Sequence, residues 1–332
     1  MSRPPLAITM GDPAGIGPEI IVKTWQSMRA ERQPFLVIGD AGVLIRAGGE
    51  HIQIVSTPAE AVGVYPDAIP VIHAPLVKTE TPGRPDFTAA AAVVSWIKIA
   101  VDFALSGEVS AVVTAPIAKA PLYEAGFGFP GHTEYLGALT DHAPYQGVRG
   151  PVMMLAAPGL RTVLVTVHEP LASVSAKLTR DKIIQVGQVT HQALITDFGI
   201  DAPRLMVTGL NPHAGEGGSL GREEIEIIAP AVQSLRDLGV NAIGPKPADS
   251  LFPPHMRATY DAVICMYHDQ ALIPLKMLDF WGGVNVSLGL PVVRTSPDHG
   301  VGFDIAGQGK ARADSLIAAC RMAAEIAARR AK

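Results

Sequence analysis

Short apolar runs recur along the chain, at "LAITM" (6–10), "FLVIG" (35–39), "AVVTA" (111–115), "VMMLA" (152–156), "TVLVTVH" (162–168), "RLMVTGL" (204–210), "AVICMYH" (262–268) and "GVNVSLG" (283–289). Most of them are apolar throughout rather than alternating. Longer amphipathic or alanine-rich stretches separate them and predict helices over 18–29, 86–106, 181–198, 222–238 and 310–330. Strands of this kind divided by helices specify an α/β fold whose mostly parallel sheet is covered on both faces. Three helix starts carry a physical marker. Pro18 suits a first turn, where a missing N–H is no loss, and Asp86 and Thr179 can each cap the helix that follows.

At 332 residues the chain exceeds the roughly 250–300 at which single cores stop growing, so the pattern divides into two α/β lobes. We place the first at 1–127, completed by 283–332, and the second at 128–282. Hydrophobic residues make up 48% and charged ones 17%, with 33 glycines and 28 prolines, which describes a large buried core with many tight connections. A formal charge of -4 and a pI near 6.2 exclude a general attraction to nucleic acid or an anionic membrane. The longest apolar segment, 87–105, carries Lys98 and Asp102, which a core helix with one polar face accommodates and a membrane span does not. The opening "MSRPPLAITMGDPAGIG" loses its apolar run at Gly11-Asp12-Pro13, unlike a signal peptide. The only two cysteines, Cys265 and Cys320, sit in apolar surroundings and read as buried free thiols, in keeping with a reducing cytoplasm.

Chemistry enters with the histidines. His168, His213 and His268 each follow a predicted buried strand, and in open α/β sheets the carboxyl ends of strands border the ligand crevice. Each alone reads sooner as a half-buried imidazole bonded to its loop than as a ligand. Together, at equivalent positions, they describe a three-imidazole metal site with an open fourth position. His213 lies in "NPHAGEGG" (211–218), whose glycines permit an unusual backbone but give no reason for an imidazole. In "GHTEYL" (131–136), Thr133 can cap a helix while His132 and the free N–H groups face an anion, or the stretch is simply a helix start. Lys276, Asn285 and Arg294 are polar groups inside apolar segments, where either an ion pair or an anionic ligand accounts for them. "GFGFPG" (126–131) matches a dinucleotide fingerprint literally, but it follows a helical stretch and has Pro130 where a helix should open, so we reject it.

The chain resembles the 4-hydroxythreonine-4-phosphate dehydrogenase family through "MGDPAGIGPEI" (10–20), "GHTEYL" (131–136), "VTVHEPL" (165–171), "GLNPHAGEGG" (209–218), "PADSLF" (247–252), "MYHDQALIPLK" (266–276), "GVNVSLGLPVVRTSPDHG" (283–300) and "AGQGKA" (306–311). The resemblance covers nearly the whole chain. It implies an isocitrate and isopropylmalate dehydrogenase-like fold of two α/β/α domains without a Rossmann loop. It also implies a homodimer whose active site lies at the subunit interface. His168, His213 and His268 match the family's divalent-metal ligands, and His132, Thr133, Lys276, Asn285 and Arg294 its substrate contacts. The segment 298–311 resembles the adenosine loop of isopropylmalate dehydrogenases, placing His299, Gly300 and Asp304 near NAD or NADP; an acid at 304 would favour NAD by repelling a 2′-phosphate.

The reaction so implied is oxidation of 4-phosphohydroxy-L-threonine to 2-amino-3-oxo-4-phosphooxybutanoate, which decarboxylates to 3-amino-2-oxopropyl phosphate. A zinc, cobalt or magnesium ion would polarise the substrate hydroxyl, with Asp249 and Lys276 as candidate proton acceptors. Glu169 stands where the family leads one to expect an aliphatic residue. Alternatives are a paralogous dehydrogenase acting on a four-carbon sugar-acid phosphate or a dihydrodiol dicarboxylate, a zinc hydrolase using the same histidines, and a non-enzymatic metal-binding module.

Overall fold

The computed structural model describes residues 3–331 apart from Arg32 and Pro130, and the chain divides into two compact units, 1–143 with 291–328 and 144–290 with 329–332. These crossings fall later than the sequence pattern places them. The helix at 132–140 packs on the long helix of the first unit, and the strand at 284–288 pairs inside the second.

The first unit holds strands β1 (Leu6–Thr9), β2 (Phe35–Gly39), β3 (Ile52–Ile54), β4 (Ile69–His73) and β5 (Ala111–Thr114), joined late in the chain by β12 (Arg294–Pro297). Its helices are α1 (Gly17–Met28), α2 (Ala41–Arg46), α3 (Pro58–Val64), α4 (Ala90–Leu105), α5 (Lys119–Glu124), α6 (His132–Thr140) and most of α12 (Asp314–Arg330). The strands run in the order β3-β4-β2-β1-β5-β12, and every pairing is parallel. Helix α4 lies on β1, β2 and β5 and buries Val93, Trp96, Ile97, Ala100 and Val101. Its length and composition would suit a membrane span, but Lys98 and Asp102 pair with each other at 2.6 Å on the exposed side, as a core helix requires. Asp86 caps the turn leading into α4 by accepting from the Thr88 N–H, and Thr179 caps the helix after it by accepting from Lys182.

The second unit holds β6 (Val152–Ala157), β7 (Leu160–Leu164), β8 (Arg204–Thr208), β9 (Asn241–Lys246), β10 (Ala262–Cys265) and β11 (Val284–Leu288), with α7 (Leu171–Lys177), α8 (Arg180–Thr196), α9 (Ala229–Asp237), α10 (Pro254–Arg257) and α11 (His268–Leu278). The order is β11-β6-β7-β10-β8-β9; β6 runs antiparallel to both neighbours, and β7, β10, β8 and β9 are parallel. Met153, Leu155, Leu164, Met206, Val263 and Cys265 form the core, closed by Ala271 and Leu275 of α11. Cys265 and Cys320 are both buried and free.

Helix α11 is absent from the sequence pattern because Pro274 sits inside it and removes one backbone donor. The carbonyl so released, on Gln270, accepts from the Cys265 thiol at 3.8 Å instead. A buried cysteine thus completes the helix beneath which it packs.

Candidate active site

In the second unit β7, β10 and β8 are adjacent and parallel, so the loops leaving their carboxyl ends share one edge of the sheet. Those loops carry His168, His268 and His213, the arrangement that makes a crevice in open sheets. The rings of His168 and His268 stand 5.9 Å apart between centroids. The strand ends are pinned beneath them. The Thr166 hydroxyl donates to the Met266 carbonyl at 2.7 Å, and the Gln270 side-chain oxygen accepts from the Met266 N–H and the Thr208 hydroxyl, both at 2.7 Å. The Gln270 amide then donates to the Gly209 carbonyl at 2.8 Å, stitching the ends of β8 and β10 together. Sequence reasoning missed Gln270, since one glutamine in the first turn of a helix that the sequence pattern does not show carries no signal of its own.

The His213 loop is more unusual than its glycines suggest. His213, Ala214, Gly215, Glu216 and Gly217 all have positive φ, of 53°, 51°, 80°, 45° and 65°, so the chain makes a short left-handed turn. Left-handed backbone costs a non-glycine residue roughly 1–2 kcal/mol. A buried carboxylate holds the turn: Glu224 accepts from the Leu210 and Asn211 N–H groups at 2.8 Å each, and from the Asn211 side chain at 3.0 Å. Gly215 is required by this approach, because a Cβ there would lie 2.6 Å from Glu224 Oε2. The stretch "REEIEII" lies in the helix expected over 222–238, and its Glu224 is 3% exposed. Only the tertiary position of the preceding loop marks it.

A cleft of ≈ 560 Å³ opens beside this turn, lined by His213, Asp249, Phe252, Tyr267, Asp269 and Ile273 among others. Lys276 Nζ lies 5.5 Å from the Phe280 ring centroid, and Asn285 Oδ1, on β11, is buried with no hydrogen-bond partner among the described residues. Glu169 adds no free charge next to His168, because Lys177 and Ser173 bind its carboxylate and the Lys177 hydrogen bond holds it below the usual carboxylate range. Among the described residues no group of three or more His, Cys, Asp or Glu side chains stands close enough to hold a metal. The chain therefore brings His168 and His268 together without closing a three-donor set. In kind, however, the donors fit a zinc- or cobalt-type ion: His213 and His268 each engage a carboxylate through Nδ1 and keep Nε2 for a ligand.

The first unit gathers a different chemistry. Arg294 opens β12 beside β5 and is 2% exposed, with Nη2 donating to the Thr114 hydroxyl at 2.6 Å. Burial pushes its guanidinium down to about 9, with the nearby Glu134 charge acting the other way. His132 is the first residue of α6, and its Nε2 is buried with no hydrogen-bond partner among the described residues. Burial, then the charges of Arg294 and Lys119, hold the imidazole well below its ordinary value, so it is neutral. Lys119 reaches the same spot, since a Cβ on Gly131 would lie 3.9 Å from its Nζ. The cap of α6 is Gly131 and not Thr133, which is buried one residue inside the helix. Guanidinium, ammonium, imidazole and the N–H groups of a helix start are together the kinds of group that suit a small anion. The rejected fingerprint at 126–131 joins α5 to α6 and follows no strand; Pro130 lies outside the described residues.

The segment 298–311 has no regular structure and is clamped to α1. The Ile16 N–H donates to the Val301 carbonyl at 2.8 Å, Lys23 Nζ donates to the Gly309 and Ala311 carbonyls at 2.8 and 2.6 Å, and the Ala311 N–H donates to Glu19 at 2.9 Å. His299 Nδ1 lies 3.0 Å from the Gly300 carbonyl while its Nε2 is buried, and Asp304 is exposed.

A family model described as "Pyridoxal phosphate biosynthetic protein PdxA" matches residues 31–323. The chain is 62% identical to a 4-hydroxythreonine-4-phosphate dehydrogenase of Caulobacter vibrioides over 99% of each chain. It superposes on the crystal structure of a protein of that name from Klebsiella pneumoniae with a TM-score of 0.86 and 40% identity, covering 97% of this chain and 99% of the other. An isocitrate dehydrogenase from Methylococcus capsulatus, 13% identical, shares the fold at a TM-score of 0.50 over 98% and 86% of the two chains. The fold is thus the isocitrate dehydrogenase-like α/β type expected from the sequence, and the chain belongs to the PdxA family of pyridoxal phosphate biosynthetic proteins.

Proposed function

We propose that the chain is a metal-dependent oxidoreductase that uses NAD or NADP to oxidise 4-phosphohydroxy-L-threonine to 2-amino-3-oxo-4-phosphooxybutanoate. That product decarboxylates to 3-amino-2-oxopropyl phosphate on the route to pyridoxine 5′-phosphate. The observation that carries this reading is the sealed anion receptor of Arg294 and His132 at the start of α6, which suits a phosphoryl group on a small substrate. Lys276 and Asn285 are further candidate substrate contacts, the Asn285 Oδ1, without a hydrogen-bond partner among the described residues, accepting from an amine or hydroxyl. His168, His213 and His268 would hold the divalent metal, which would supply Lewis-acid chemistry for the hydroxyl to be oxidised. Asp249, lining the cleft with His213, takes the hydroxyl proton, and Lys276, 5.5 Å from the Phe280 ring centroid, is the second candidate acceptor. His299, Gly300 and Asp304, on the segment clamped to α1, meet the dinucleotide; the Asp304 carboxylate favours NAD, and Asp304→Asn should narrow the NAD-over-NADP ratio of kcat/KM.

A homodimer with the metal site at the subunit interface accounts for two further features. Among the described residues the three histidines form no closed donor set, and α11 with the turn beyond it exposes Ile273, Met277, Phe280 and Trp281, Met277 by 82%. Two buried free thiols suit a cytoplasmic setting. The deciding experiment supplies metal-loaded protein with NAD and NADP and compares 4-phosphohydroxy-L-threonine with its unphosphorylated counterpart, following reduced nicotinamide. Turnover confined to the phosphorylated substrate is expected. Equal turnover of both, or of neither, overturns the reading, and an active species found monomeric by light scattering overturns the shared site.

A further inference from the structure

We propose that Glu216 and Asp269 are positioning residues that fix the tautomer of His213 and His268, and that the left-handed turn at 213–217 exists to fold Glu216 back onto His213. The inference rests on the metal reading above but concerns residues assigned no role there. His213 Nδ1 lies 2.9 Å from Glu216 Oε2, and His268 Nδ1 lies 2.6 Å from Asp269 Oδ1. A carboxylate accepts only, so each Nδ1 must carry the proton, and in the neutral ring each Nε2 then keeps its lone pair. That is the form in which an imidazole donates to a metal.

The backbone supplies the independent observation. Glu216 takes φ 45°, a conformation that glycine or asparagine adopts at less cost, and both of its neighbours in the turn are glycines. In an extended loop a side chain three residues on lies on the opposite face and would not meet the His213 ring. With His213 71% exposed and Glu216 60% exposed, the bond is too open to water to hold the ring by itself. Glu224, clamped beneath the turn, gives it rigidity by fixing the chain on which both residues stand. The sequence separation of three for one pair and one for the other shows two different local routes to the same imidazole geometry.

The test reads the tautomer directly, by 15N NMR of histidine-labelled, metal-free protein, with His213 assigned from the His213→Ala spectrum. The wild type is expected to show His213 and His268 protonated on Nδ1. Glu216→Ala and Glu216→Gly should both move His213 towards the Nε2–H form and leave His268 unchanged, and Asp269→Ala should do the converse. Glu216→Gln should restore the wild-type signal through its amide oxygen. Glu216→Gly relieves the left-handed backbone while removing the carboxylate, so a shift in that variant cannot be ascribed to lost folding. In parallel, cobalt(II) titration should show affinity falling about 10–100-fold in the Ala and Gly variants and recovering in the Gln variant. A wild-type His213 protonated on Nε2, or variants with unmoved tautomer and affinity, overturns the positioning role. Wild-type protein that binds neither cobalt(II) nor zinc(II) but shows the expected tautomers overturns the metal assignment alone.

Discussion

The polar groups of the first unit are sealed before any ligand arrives, whereas those on the carboxyl edge of the second stand open: Arg294 is 2% exposed and the His213 side chain 71%. Both regions hold chemistry in readiness, but at different cost. In the first the cost is desolvation, visible in a guanidinium pushed down to about 9 and an imidazole kept neutral by burial. In the second it is backbone conformation, carried by three non-glycine residues with positive φ and held by the buried Glu224. A phosphoryl group suits the first because an anion restores what burial removed. The second suits a ligand that supplies its own charge and is enclosed by something beyond the chain.

The contrast can be broken by exchanging what each region depends on. The largest effect belongs to Arg294→Lys, which keeps a charge but loses the planar fork and the bond to Thr114; kcat/KM for the phosphorylated substrate should fall about 10²-fold, near 3 kcal/mol, with cobalt(II) affinity unchanged. Steady-state rates within a few-fold of wild type would show that the anion binds elsewhere. Next comes Glu224→Ala, which strips the left-handed turn of its support and leaves two backbone donors and one side-chain donor without their acceptor. Urea unfolding should report a loss of about 2–3 kcal/mol, and cobalt(II) affinity should drop with it. Unchanged affinity in a destabilised variant would separate the turn from metal binding.

His132 sets the third test. Its native value is depressed below the ordinary 6.5, first by burial and then by Arg294 and Lys119. Above the unfolded value neither state binds the proton and nothing is at stake. As pH falls below it the unfolded chain takes the proton first, so stability falls with acidity until the native imidazole also titrates. The loss should approach about 1.4 kcal/mol per pH unit. Urea midpoints compared for wild type and His132→Asn should diverge on acidification, and parallel curves would remove the buried neutral imidazole. The smallest effect is Thr114→Val, which takes one hydroxyl from Arg294 at nearly constant volume. KM should rise about fivefold, near 1 kcal/mol, with kcat and metal affinity unaltered. A change confined to kcat would assign Thr114 a different part.

What could be read in the sequence follows from local physics. The eight apolar runs coincide with strands because a strand buried on both faces must be apolar throughout, and Asp86 and Thr179 cap as read because capping needs only the next few residues. The edge strands β3 and β9 escaped notice because exposure mixes polar residues into them, and β12 because "RTSP" has no apolar run at all. The three histidines were recognisable by one shared position after a buried strand, and the strand order β7-β10-β8 then places them on one edge. Tertiary structure alone decided the rest. Which carboxylate in "REEIEII" is buried, which hydroxyl meets Arg294, and which glutamine ties β8 to β10 depend on neighbours distant in sequence. A residue's type states what it can bond to, and only the packed chain determines which partner is within reach and whether water competes for it.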